Sequence, residues 1–160
     1  MSEAPYTIRP AREEDFPAVA ELEDLLLRLH AGRRPDVFQY TPGHYRQEWY
    51  EAFLSGENLG LMAEVDGQIV GMCLSKVAMT DAGPILRQRK DCKIEDLAVF
   101  PAFRRRGIAS ALLRETEALA RSRGCQSVQL NVWALDREAA QLYERAGYAP
   151  LRQILERPLT

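Results

Sequence analysis

The densest chemistry in the chain is the hexapeptide Arg104-Arg105-Arg106-Gly107-Ile108-Ala109, which sits between a run that alternates like a strand and a run that repeats like a helix. A helix start exposes unpaired backbone N–H groups and a partial positive charge, and anions bind there. Gly107 has no side chain, so the first helical amides, those of Ile108, Ala109 and Ser110, could approach a phosphate closely. Arg104, Arg105 and Arg106 add longer-range attraction. A solvated basic turn with an ordinary turn glycine is the competing reading. Upstream, Glu95 and Asp96 are adjacent carboxylates in the apolar run 92–99, and a carboxylate facing a cleft can accept a proton. Strand alternation predicts that only one of them faces any one side; the other reading is one solvated carboxylate and one structural ion pair. Downstream, Tyr143 shares a face with Ala139, Leu142 and Ala146, either as a hydroxyl donor beside small neighbours or as a core aromatic with a satisfied hydroxyl. The segment 29–40 mixes His30, Arg33, Arg34, Asp36, Phe38 and Tyr40, a recognition surface by default. A second basic group, Arg87, Arg89 and Lys90, falls in 80–91 and reads as a second wall or as a solvated loop.

These residues need elements to hold them. Residues 5–9 form a short strand ending at Pro10, and Phe16, Val19, Leu22, Leu26 and Leu29 recur at helical spacing over 13–30. Pro17 falls early in that helix, where a missing N–H is tolerated. A loop over 31–43 precedes a helix over 44–55 with Tyr45, Trp49 and Phe53 on one face. Strands over 59–65 and 68–79 flank Asp66-Gly67, a type I′ hairpin pair. The strand at 92–99 leads through the arginine turn into a helix whose stripe is Ile108, Leu112, Glu115 and Leu119, capped near Gly124. A strand over 126–132 follows, then a helix with Asp136 as N-cap and Gly147 at its end, and 148–157 supplies one or two last strands. The order β-α-α-β-β-β-α-β-α-β(-β) predicts a mixed α/β (α+β) sheet flanked by helices.

The 160 residues fit one domain, taken as 1–160, and 46% apolar composition supports a proper core. A net charge of −2, from 23 acidic and 21 basic residues, argues against a nucleic-acid binder. No apolar run is long enough to span a bilayer, and the start M-S-E-A-P-Y is unlike a signal peptide. Three cysteines without short spacing and two histidines argue against a disulfide framework or a metal centre. The expectation is a cytoplasmic, metal-free domain with no nucleic-acid or membrane partner.

The arginine turn resembles the acetyl-coenzyme A signature of the GNAT superfamily of N-acetyltransferases, Gln/Arg-x-x-Gly-x-Gly/Ala, with Arg104, Gly107 and Ala109 at the three defined positions. K-I-E-D-L-A-V-F-P at 93–101, L-N-V at 130–132, A-A-Q-L-Y-E-R-A-G-Y at 139–148 and the opening T-I-R-P-A-R-E-E-D at 7–15 are similar to the family's segments in the same order. The resemblance implies a mostly antiparallel sheet splayed by a bulge between its central strands, with acetyl-CoA as co-substrate. It implies pantetheine lying along the backbone of Leu97, Ala98 and Val99, where one N–H stabilises the thioester oxygen, and cofactor contacts from Asn131 and position 136. Relatives often carry Asn at position 136; here Asp136 caps as well but brings a carboxylate near phosphates. By motif position Glu95 resembles a catalytic base that also lines the acceptor site, usually acting through water, and Tyr143 resembles the acid for the departing thiolate. The region of His30, Arg33, Phe38 and Tyr40 corresponds to the acceptor wall. The implied reaction is direct attack by a primary amine of a small molecule or peptide in a ternary complex, and, because many relatives pair, the resemblance implies a homodimer. The alternatives are a non-catalytic acyl-CoA-binding module and, less in keeping with the charge, an RNA-binding domain.

Overall fold

In the computed structural model, which describes residues 5–160, five strands form one sheet in sequence order. β1 (Tyr6–Pro10), β2 (Leu59–Val65), β3 (Gln68–Thr80) and β4 (Arg89–Val99) pair antiparallel in succession, and β5 (Ser127–Leu130) lies parallel to β4. Asp66 and Gly67 both take positive φ, 49° and 78°, and make the tight β2–β3 turn that this pair favours. The mixed, mostly antiparallel sheet flanked by helices is the fold the sequence predicts.

Both faces of the sheet are covered, which is why Leu59–Ala63 in β2 reads as a continuous buried run and not as an alternation. On one face, Leu61, Ala63, Val65, Val70, Cys73, Ile94 and Val99 pack with Ile108, Leu112 and Leu113 of α3 (Ile108–Ser122). On the other, Met62, Met72, Leu74 and Ala98 meet Val19 and Leu22 of α1 (Phe16–Arg33), Tyr50 of α2 (Gln47–Glu51) and Phe53. Each fully buried side chain of this kind contributes roughly 1.5–3 kcal/mol before entropy is counted. Arg9 ties β1 to the entry of α1 and to β2 through Asp15 at 2.7 Å and Glu64 at 2.7 Å.

Several local expectations need correction. The expected helix over 44–55 forms only as α2, because Arg46 is extended at its start and turns follow Glu51; the Tyr45–Trp49–Phe53 aromatic stack survives at 5.4 and 5.3 Å. α1 runs on to Arg33, shortening the expected loop. β4 begins at Arg89, so Arg89 and Lys90 lie in a strand and are paired, with Asp91 at 2.8 Å and Glu57 at 2.9 Å. On α3 the buried position is Thr116, whose hydroxyl donates to Cys73 Sγ at 3.3 Å, while Glu115 faces solvent. The last strands expected over 148–157 are absent: residues 149–160 are exposed and pair with no strand. A strand needs a ladder partner, and this segment is not seated on the free edge of β5.

Candidate functional site

β4 and β5 are paired only where Asp91–Ile94 lies against Ser127–Leu130. Past Ile94, β4 continues to Val99 while β5 has ended, so the edge of β4 is open. The divergence begins at a bulge. Leu74 opposes Asp96 and Ser75 opposes Ile94, leaving Glu95 as the extra residue. The extra residue also resets which face each side chain takes. Ile94, Leu97 and Val99 pack toward α3, whereas Ala98 lies in the α1-side core and Asp96 meets Glu23 of α1. Glu95 reaches to 4.0 Å from Lys76, whose ammonium lies 5.7 Å from the Phe53 ring on that same side. The expectation that alternation separates Glu95 from Asp96 is therefore overturned: the bulge puts both carboxylates on the α1 face.

The backbone of β4 past the bulge sorts its own polar groups. Phe100 N–H donates to Val70 O at 2.9 Å, and Ala98 pairs with Met72, so Ala98 turns its amide toward β3. Leu97 and Val99 turn theirs to the open edge, where Val99 O accepts from Arg104 Nε at 3.1 Å. Of the three residues expected to line the cofactor by their backbone, Leu97 and Val99 are the two aimed outward.

The turn after β4 leads into α3 through Arg105 and Gly107, both left-handed with φ of 63° and 79°. No side chain caps the helix, and the first amide bonded back is that of Ala111, to Gly107 O at 3.0 Å. The amides of Ile108, Ala109 and Ser110 thus have no partner within the helix. A Cβ on residue 107 would meet only Tyr6 Oη at 3.7 Å, so the approach is clear. Arg104 is tethered to β4, Arg106 lies 5.5 Å over the Phe103 ring, and Arg105 stands exposed on the turn. An uncapped helix start beside exposed arginines and an outward-facing strand edge fits a phosphorylated, amide-bearing chain such as coenzyme A.

α4 (Arg137–Arg145) closes the other side. Asp136 accepts from Ala139 N–H at 3.1 Å as its cap and pairs with Arg33 Nη1 at 2.7 Å. Arg33 thereby joins the end of α1 to the start of α4 and neutralises the carboxylate that sequence alone set near phosphates. Tyr143 is half-buried in the α3-side core, and burial holds its hydroxyl well above its ordinary range, so it stays protonated. Asn131 is exposed just past β5. The expected acceptor wall divides in two. His30 stacks on Phe38 at 5.1 Å, Phe38 meets Trp133 edge-on at 5.5 Å, and burial lowers the basicity of the His30 ring. Tyr40 instead donates to Asp24 at 2.9 Å under the Arg28 guanidinium.

Two functional-looking groups escape the sequence reading. Trp133 follows a short strand with no pattern to mark it. Glu23 is 1% exposed on α1 beside Asp96 and Tyr45. Burial, then the Asp96 charge, pushes the Glu23 carboxyl up to about 9, against a hydrogen bond from Tyr45. Burial pushes Asp96 up to about 6, opposed by the hydrogen bond from Glu23. Near neutrality the two raised carboxyls therefore share one proton and one negative charge. Its signal was present in the sequence: Glu23 lies four residues after Val19, on the apolar stripe.

The sequence pattern of the Acetyltransferase (GNAT) family matches residues 19–148, and the chain belongs to that family, whose chemistry is acetyl transfer. It is 28% identical over 145 residues to an uncharacterized N-acetyltransferase of Methanocaldococcus jannaschii, and spans 60% of that protein's length. Among solved structures it is similar to a mutant of the BH1408 protein of Bacillus halodurans, with 25% identity, a TM-score of 0.91 and coverage of 96% and 99% of the two chains. The fold is also that of the aminoglycoside acetyltransferase AAC(6')-Iy, solved with a CoA-linked acetylneamine bisubstrate analogue, at 16% identity, a TM-score of 0.74 and coverage of 98% and 99%.

Proposed function

We propose that the protein transfers acetyl from acetyl-CoA to a primary amine by direct attack within a ternary complex. The observation that carries this is the uncapped start of α3 set beside the open edge of β4. The amides of Ile108, Ala109 and Ser110, with Arg105 and Arg106, would hold the pyrophosphate, and the Leu97 and Val99 backbone the pantetheine arm, with Asn131 at the far strand end. Bound there, the coenzyme supplies an activated acetyl thioester. An amide donor on β4, once aligned with the thioester oxygen, is worth about 3 kcal/mol of barrier. Glu95, on the bulge, is the outer carboxylate that draws in the acceptor's ammonium. Tyr143, kept neutral by burial, gives its proton to the leaving sulfur. His30, Phe38 and Trp133 are the aromatic wall for the acceptor, with Arg33 and Asp136 bracing its floor and Tyr40 at its rim. A small-molecule amine is favoured because a neighbour of this fold holds an acetylneamine analogue. The presence of Glu95 as a carboxylate and of Tyr143 as a neutral hydroxyl supports transfer over an acyl-CoA-binding module without catalysis. The test is release of free CoA thiol from acetyl-CoA with spermidine, neamine and a free-N-terminal peptide; folded protein that binds acetyl-CoA and acetylates none of them supports the non-catalytic module.

We also propose a homodimer and a cytoplasmic setting. Leu151, Ile154, Leu155 and Leu159 are 75–92% exposed along the C-terminal segment, an apolar arm that a second copy would cover. Removal of residues 149–160 should leave a folded monomer in sedimentation, and an unchanged mass would refute the pairing. Three free thiols, two of them buried, suit a reducing compartment.

A further inference from the structure

Acetylating a protonated amine forms one N–C bond, breaks the thioester C–S bond and removes two protons from nitrogen. One proton goes to the departing sulfur, by way of Tyr143. The other is the net proton of the reaction and needs a place to go. Glu95 is the outer candidate, with its side chain 40% exposed and Lys76 at 4.0 Å. Asp96 is the inner one. It is half-buried on the same face, next in sequence to Leu97, whose amide faces the open edge. Behind it stands Glu23, 1% exposed, and among the described residues Glu23 Oε1 has no hydrogen-bond partner. A buried carboxyl oxygen left unpaired is costly, which asks for a group that completes it. The charged and titratable groups around the pair come from every neighbouring element: Glu23 from α1, Tyr45 from the segment after α1, Cys73 and Lys76 from β3, Glu95 from β4 and Tyr143 from α4.

We infer that Asp96, with Glu23 behind it, is the group on which the amine's surplus proton comes to rest, while Glu95 steers the ammonium inward; this rests on the acetyl-transfer reading above. Asp96 is ionised near neutrality and its conjugate acid is poised close to working pH, which suits a general base. Glu23, protonated, donates to the Asp96 carboxylate and acts as a positioning residue. The proton then leaves to solvent from Asp96, the less buried of the two, and the pair returns to one proton and one charge.

Two measurements test this. The first needs neither coenzyme nor acceptor: carbon-13 NMR titration of the side-chain carboxyls. The pair should titrate as a coupled unit, keeping one proton at pH 7, and Glu23→Gln should leave a single titrating carboxyl. Two independent titrations complete below pH 5 would overturn the inference. The second is the pH profile of CoA release between pH 5 and 9, with spermidine and neamine as probe amines. Wild-type kcat/KM should fall on the acid side as Asp96 protonates. Asp96→Asn should lower kcat roughly 10²–10⁴-fold and abolish that limb. Glu23→Gln keeps the Asp96 carboxylate and should move the limb, and Glu95→Gln should raise KM with the limb in place. An Asp96→Asn protein that melts like wild type, works within about threefold of it and keeps the acid limb overturns the inference and leaves the transferase reading standing. Failure of wild type to bind acetyl-CoA would instead sink the transferase reading. Should neither probe amine be acetylated, the carboxyl titration decides alone.

Discussion

Gly71 lies in β3 opposite Val99, at the junction from which β4 leaves and α3 starts. A Cβ there would stand 3.0 Å from Ala98 O, 3.1 Å from Val99 Cγ2 and 3.4 Å from Ile108 Cγ2. Two of these neighbours belong to β4, whose backbone is fixed by the ladder, so Gly71→Ala cannot be absorbed by a flexible side chain. Overpacking of this kind costs about 1–3 kcal/mol. Relief of glycine's entropy in a strand returns roughly 0.5–1 kcal/mol. At mid-range, about 2 less about 0.75, the net loss is about 1.3 kcal/mol, and in a chain of this size each kcal/mol moves Tm by roughly 2–4 °C. Thermal melts by circular dichroism should therefore show Gly71→Ala lowered by about 3–5 °C. Because the wedge parts the outward strand edge from the helix start, acetyl-CoA affinity should fall with it. Gly32→Ala is the matched control: nothing lies within 4 Å of its Cβ, and it sits near the end of α1, so Tm should rise by about 1–4 °C. A Gly71→Ala protein as stable as wild type would refute the claim that β3, β4 and α3 are packed to contact here.

Glu23 and Asp96 carry a stability consequence of their own. Both are raised, so the folded chain holds protons the unfolded chain has released, and their contribution falls as pH rises from the ordinary carboxylate range toward about 9. Glu23→Gln should therefore melt above wild type at pH 8, with the gain gone at pH 5; equal differences at both values would contradict the buried pair. Asp136→Ala removes the α4 cap and the partner of Arg33, and urea denaturation should register a loss of about 1 kcal/mol or more.

The sheet, the hairpin at Asp66-Gly67 and the phosphate-type turn were legible because each rests on a local pattern: alternation, a turn dipeptide, and glycine before a helical stripe. What escaped was set by the third dimension. Nothing in K-I-E-D-L-A-V announces that Glu95 is an extra residue, yet that one insertion places Asp96 on the face of Glu23. Arg104 and Arg33 read as ligand-binding cations, and each also has a protein partner: the Val99 carbonyl five residues back for Arg104, and Asp136, far along the chain, for Arg33. Glu115 and Thr116 differ by one position on a helix, and only the sheet beneath decides that Thr116 is inside. The segment 148–157 has the composition of a strand, but a strand is a property of two segments, and none here lies beside it.

The central claim is that acetyl-CoA docks where α3 begins. Calorimetric titration of the purified protein with acetyl-CoA, repeated on Gly107→Glu and Gly107→Ala, tests it most directly. Both variants bear the same left-handed strain at φ 79°, roughly 1–2 kcal/mol, but only glutamate sets a negative charge before the helix amides. The account predicts micromolar binding by wild type, weakened by alanine and abolished by glutamate in protein that still melts cooperatively. Folded wild type that takes up no acetyl-CoA, or Gly107→Glu that binds as wild type does, would contradict it.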